Sequence, residues 1–161
     1  MKRLLPILML SLLLWSCDPG FNQYCMIRND ANQPVDVIPA GYRIARNYEL
    51  DTTDTIYNKP FTLAAGEDTM AVYDGGIGAA DLDNAHMQMV YFLGDSVIFR
   101  FPDGCQRIYH ATDTLGNSPY NPLAPAYTWE EKVGKPWAGH TYFGQLTFTI
   151  DNSQHPAANH Q

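Results

Sequence analysis

Ser96-Val97-Ile98-Phe99-Arg100-Phe101 runs into Pro102-Asp103-Gly104 and returns as Cys105-Gln106-Arg107-Ile108-Tyr109-His110. Val97, Phe99 and Phe101 fall on alternate positions, the period of a strand with one buried face. Proline fixes φ for the first turn position, and glycine accepts the left-handed position of a type I turn with a bulge. The segment 95–112 therefore reads as a β-hairpin. Across such a turn Phe101 and Cys105 are neighbours on the face that holds Val97 and Phe99, so Cys105 is expected to point inward.

The same period recurs on both sides. Tyr142, Gly144, Leu146, Phe148 and Ile150 share one face of a last strand, and Tyr24-Cys25-Met26-Ile27-Arg28-Asn29 forms a first, ended by the turn-prone Asn29-Asp30-Ala31-Asn32. Val35 and Val37 alternate with Asp36 and Ile38 before Pro39-Ala40-Gly41, and Tyr42, Ile44, Tyr48 and Leu50 keep the period of two. Residues 52–60 are polar and loop-like. Phe61-Thr62-Leu63 and Met70-Ala71-Val72-Tyr73 flank Ala65-Gly66-Glu67-Asp68 as in a hairpin, and Asp74-Gly75-Gly76-Ile77-Gly78 breaks the pattern. Residues 79–93 are the one helical candidate, capped by Asp81 or Asp83, with a buried strand over 88–93 as the competing reading. Residues 113–140 read as irregular, with prolines at 119, 122, 125 and 136. Short strands between Gly, Pro, Asn and Asp clusters predict an all-β sandwich, with a small β-barrel as the alternative and one short helix near 80–93.

The 161 residues fit one domain, and 10 Lys+Arg against 17 Asp+Glu give a net charge of −7 that excludes a basic nucleic-acid surface. The locally basic residues Lys2 and Arg3 open a different element. They precede the apolar run from Leu4 to Trp15 and then Ser16-Cys17, the layout of a secretory signal. Twelve helical residues span about 18 Å, too short for a ~30 Å hydrocarbon core. Residues 1–16 are thus expected to be removed, 17–23 to form a tether, 24–151 a single β domain and 152–161 a flexible tail.

Leu14-Trp15-Ser16-Cys17 resembles the lipobox of bacterial lipoproteins through Leu14, Ser16 and Cys17. The resemblance implies lipidation of Cys17, which becomes the new N-terminus and holds the chain to the cell envelope, most simply at the outer membrane. The alternative is ordinary cleavage nearby with Cys17 left free. Cys25 and Cys105 then remain as an even pair in an oxidising compartment, which predicts a disulfide. Two unpaired thiols packed as small hydrophobes are the alternative.

The lipobox ending at Cys17, the strand Ile27-Arg28-Asn29, Phe61-Thr62-Leu63-Ala64-Ala65-Gly66-Glu67, Asp95-Ser96-Val97-Ile98-Phe99 and Leu146-Thr147-Phe148-Thr149-Ile150 together resemble small lipoproteins of the Bacteroidota type. That resemblance implies an immunoglobulin-like β domain in the envelope and carries no activity with it.

Chemical motifs are sparse. Asp81, Asp83, Asn84 and His86 form a polar cluster with carboxylates at alternate positions 81 and 83 but lack the central glycine and late acidic residue of a calcium loop; an Asp-rich helix start explains the same residues. His86, His110 and His140 accompany no Gly-x-Ser-x-Gly or His-Glu-x-x-His signature. Glu130-Glu131-Lys132 reads as a solvated loop. No catalytic residue, metal or cofactor is expected. Tyr127, Trp129 and Trp137, beside amides and carboxylates in a Pro-rich segment, are candidate glycan-stacking residues, with packing in the core or loop as the competing reading. The expectation is a non-catalytic envelope lipoprotein acting as an accessory, structural or protein-binding module. A glycan-binding lipoprotein is the first alternative and an envelope hydrolase the second. The expected partners are a membrane reached through the lipid and an envelope protein or glycan, with no nucleic acid.

Overall fold

The computed structural model describes residues 20–47, 52–77, 79–133 and 142–156. The elements run β1 (Gly20–Asn29), β2 (Val35–Pro39), β3 (Tyr42–Asn47), β4 (Thr52–Tyr57), β5 (Phe61–Leu63), β6 (Asp68–Ile77), α1 (Leu82–Leu93), β7 (Ser96–Arg100), β8 (Gln106–His110), β9 (Tyr127–Val133) and β10 (Tyr142–Ile150). A 3-10 turn at Asn152–Gln154 follows. Two open four-stranded sheets, ordered β6-β1-β10-β9 and β5-β2-β7-β8, make a β-sandwich rather than a barrel, and β3-β4 forms a separate ribbon. The first and last strands, β1 and β10, pair in parallel; the other pairings are antiparallel.

Alternation builds the core. Val97 and Phe99 of β7 and Leu146, Phe148 and Ile150 of β10 are buried, as the period of two requires. Phe99 of one sheet lies 6.0 Å from Phe148 of the other, ring centre to ring centre, and Tyr127 closes on Phe148 at 5.0 Å. Removal of each such phenylalanine from water contributes about 1.5–3 kcal/mol. The helix fills the other half of the inner face. It buries Ala85, Met89 and Leu93, one stripe at every fourth residue, and packs on β1, β6 and β10. Asp81 caps its start by accepting from the Asp83 amide. Gly94 ends it at φ +74, where a Cβ would stand 2.4 Å from the Gly41 nitrogen.

Asn29, at the far end of β1, is fully buried and ties together two of the crossovers between the sheets, β1 to β2 and β5 to β6. Its Nδ2 donates to the carbonyls of Gln33 (2.9 Å), Leu63 (3.0 Å) and Ala64 (3.1 Å), and its Oδ1 accepts from the Ala31 amide at 3.0 Å. Its own backbone bonds Glu67 and Gly66 in the β5–β6 connection. A single side chain thus replaces the ladder that two chain segments lose when they leave one sheet for the other.

Several local expectations are corrected. The segment 64–67 is a crossover, because β5 and β6 belong to different sheets. Residues 52–57 pair with β3 instead of looping, and β6 continues through Gly75 and Gly76, which pair with Asn22 and Phe21. Residues 127–133 form strand β9 with Thr128, Glu130 and Lys132 on its exposed face; neighbouring prolines concealed that alternation. Strand β1 starts at Gly20, so the expected tether over 17–23 is shorter by four residues. The start of the expected flexible tail is docked: Gln154 is buried, and the His155 ring meets Phe101 edge-on at 4.6 Å.

Candidate functional site

The residues singled out in the sequence do not converge. Cys17 and Trp137 lie outside the described residues. Tyr127 and Trp129 turn toward the interior of β9, where both pack on the core. The Tyr127 hydroxyl donates to the Pro119 carbonyl at 2.6 Å, and its ring meets the edge of His86 at 5.3 Å. These aromatic faces are spent on packing, so the expected stacking platform is not formed by Tyr127 and Trp129. Asp81 and Asp83 serve the helix start, and Asn84 donates to Asp74 at 3.2 Å. His86 rests against the Pro119 carbonyl, and burial lowers its pKa.

The expected disulfide is also corrected: Cys25 and Cys105 are both free. Cys25 sits in mid-β1 with its thiol donating to the Ala85 carbonyl at 3.2 Å. Burial, with a smaller push from Asp74, raises its pKa to about 12. Cys105 sits at the tip of the β7–β8 hairpin, at the end of the sandwich where Asn29 and Ile150 pair. Four strand residues, about 13 Å, separate Cys25 from that end, well past the ~7 Å Cα limit of a disulfide. The hairpin was legible, and so was its inward Phe101; the height of its tip relative to β1 was not.

What the tip does bring together is a mixed cluster. Asp103, Cys105 and His155 place a carboxylate oxygen, a sulfur and an imidazole nitrogen within 4.8 Å of one another. The turn holds the first two: Asp103 Oδ1 accepts from the Cys105 amide at 2.9 Å, and Phe101 exchanges backbone bonds with Cys105 and Gly104. Gly104, at φ +86, supplies the left-handed residue. The third arrives from the end of the chain. Asp151 caps the 3-10 turn, Arg107 Nε donates to the Gln154 carbonyl at 3.3 Å, and His155 Nε2 lies 2.9 Å from Asp103 Oδ2.

The three groups also shift one another's protonation. Hydrogen bonds from the Cys105 amide and thiol, and from His155, hold the Asp103 pKa below its usual value. The same carboxylate, as acceptor of the thiol, pushes Cys105 upward. A thiol whose partner is an anion keeps its proton, the reverse of the thiolate that nucleophilic catalysis needs. The three groups together offer one oxygen, one sulfur and one nitrogen donor. No signature in the sequence joins residue 155 to 103 and 105, because the three meet only through the docking of the chain end.

No protein family, curated protein or solved structure matches the chain in the comparisons made.

Proposed function

We propose that this chain is a lipid-anchored, non-catalytic envelope protein that works as an accessory or binding module. The observation that carries the reading is the lipobox-like Leu14-Trp15-Ser16-Cys17 immediately ahead of a β-sandwich whose first strand starts at Gly20. Only Asp18 and Pro19 intervene, about 7 Å of extended chain. Anchored there, the domain stands against the membrane by the Gly20 end of β1. Its Asn29 end lies about 30 Å out, since ten strand residues rise ~3.3 Å each. Proteins in the envelope are met by that outer pole and by the flanks of the sheets.

The test is metabolic labelling of cells with an alkyne-bearing fatty acid, followed by fractionation. Label is expected on the native chain and is lost in Cys17→Ser, with the protein leaving the membrane fraction. Label retained in Cys17→Ser, or none on the native chain, refutes the anchor. Cross-linking in intact envelopes then yields a discrete adduct if the module reading holds, and monomer alone if it does not.

One observation favours a second reading, glycan binding, at a place other than the one expected from the sequence. On the outer face of the β6-β1-β10-β9 sheet, Tyr24 and Tyr73 pair at 5.4 Å, and the Tyr73 hydroxyl donates to Asn22 at 2.6 Å. A groove of about 220 Å³ beside them is lined by Tyr24, Glu130, Lys132, Phe143, Gly144 and Gln145. Aromatic faces next to polar side chains suit a sugar ring. Titration of envelope polysaccharides that is unchanged in Tyr24→Ala and Phe143→Ala removes this reading.

A further inference from the structure

We propose that Asp103, Cys105 and His155 form a binding site for one divalent transition-metal ion of the zinc class. The proposal rests on the cluster and stands whether or not Cys17 is lipidated.

Three features of the geometry support it. The donor set is mixed, with one oxygen, one sulfur and one nitrogen within 4.8 Å of each other. Borderline ions such as Zn²⁺ take these types together, whereas Ca²⁺ and Mg²⁺ prefer oxygen alone. Tetrahedral bonds of 2.0–2.3 Å place ligand atoms about 3.3–3.8 Å apart, so the cluster closes on an ion by small side-chain rotations and no backbone movement. Second, the ligands stand on braced elements. Two belong to a turn closed by Phe101 and Gly104, and the third follows a capped 3-10 turn whose Gln154 is buried. Third, the site opens to solvent, since the Asp103 side chain is 48% exposed while His155 is at 14%. An ion can therefore enter, and a fourth position stays open to water or to a donor from a partner.

Binding displaces two protons: that of the Cys105 thiol passes to solvent, and the Nε2 proton that His155 donates to Asp103 moves to solvent or, by tautomerisation, to Nδ1, so that the metal takes its place between Asp103 Oδ2 and His155 Nε2. The tie between the hairpin tip and the chain end, now a hydrogen bond of 2.9 Å, becomes a coordinate link. At the pole of the sandwich opposite Gly20, an ion with an open position offers a partner one coordination site.

The experiment is a cobalt titration of the whole mature protein in detergent, purified without a polyhistidine tag and fully reduced. Co²⁺ reports both geometry and sulfur ligation by its visible and near-ultraviolet bands. A one-to-one complex is expected with a thiolate charge-transfer band and the intense visible bands of a tetrahedral ion, all displaced by Zn²⁺. Cys105→Ser should abolish the charge-transfer band. His155→Gln should weaken Zn²⁺ binding at least about tenfold, since loss of even an outer hydrogen-bond partner of a ligand costs that much. Both substitutions are near the surface, and far-ultraviolet circular dichroism checks that each variant keeps its fold. The proposal is overturned if saturating Co²⁺ gives no thiolate band, if the band persists in Cys105→Ser, or if Zn²⁺ affinity is the same in parent and both variants.

Discussion

Asn29→Ala removes a side chain that bonds both the β1–β2 and the β5–β6 crossovers, and its effect follows from the bonds it makes. The amide nitrogen has two hydrogens and faces three carbonyls at 2.9, 3.0 and 3.1 Å, so one hydrogen is shared; the oxygen holds the Ala31 amide at 3.0 Å. Three bonds' worth of interaction are lost at about 1 kcal/mol each, giving a cost of about 2–4 kcal/mol. Against a total stability of about 5–15 kcal/mol, that is a large fraction. In urea, with m of about 1.5 kcal/mol per molar, the midpoint falls by about 1–3 M. Asn29→Asp sharpens the test. The aspartate has the same shape but no hydrogens to donate, and its charge faces the same three carbonyls. Its pKa in the folded protein must rise above the unfolded value of about 3.9. The native state then takes up a proton that the unfolded state does not, so the penalty is fully present at neutral pH and shrinks as pH falls through the raised folded value. Urea melts at pH 7 and at pH 4.5, each referred to the parent at the same pH, measure both effects. An Asn29→Ala midpoint within 0.3 M of the parent, or an Asn29→Asp deficit that does not change with pH, would show that Asn29 is not the tie described.

The remaining predictions concern the thiols, the helix end and one histidine. In the native protein a maleimide is expected to modify Cys105, faster as pH rises and more thiolate forms, with the raised pKa keeping the rate low near neutrality, and to leave Cys25 untouched until urea unfolds the chain. Peptide mapping decides, and a Cys25–Cys105 bridge found under non-reducing conditions would contradict the fold. Gly94→Ala forces a side chain into a left-handed residue and onto the backbone of Gly41, so it should cost about 3 kcal/mol or more by calorimetry, whereas Gly104→Ala, with open space around it, should cost only about 1–2. Burial lowers the His86 pKa, so the unfolded chain binds the proton more readily and the stability it contributes above pH 6.5 is lost as pH falls through the folded value. His86→Gln should therefore flatten the stability profile between about pH 7 and 5, which chemical melts across that range would reveal.

Strand periodicity is a local property, and the sequence accordingly determined the strands that have clean alternation. Val97-x-Phe99-x-Phe101 and Leu146-x-Phe148-x-Ile150 announce a buried face, and Pro102-Asp103-Gly104 announces the turn between β7 and β8. The helix over Leu82–Leu93, with Asp81 at its start, was legible for the same reason. Where glycine or proline interrupts the pattern, as at Gly75-Gly76 or beside Tyr127, pairing with a neighbouring strand overrode the local signal.

Which sheet a strand joins is not written in its period. Phe61–Leu63 and Asp68–Ile77 read as a hairpin, yet they part to different sheets because each pairs with a partner distant in sequence: β5 with β2, and β6 with β1. The sequence left Tyr127 and Trp129 open between a sugar-stacking surface and packing, and the tertiary structure decides for packing: both are partly buried against the core, Tyr127 on Phe148. The same holds for the site. Asp103 and Cys105 lie two apart on a turn that the sequence specifies, but His155 is 52 residues from Asp103 and joins them only because β10 runs parallel to β1 and delivers the chain end to the hairpin tip. Side-chain alternation is set by neighbours along the chain; the meeting of donors is set by which strands the core brings side by side.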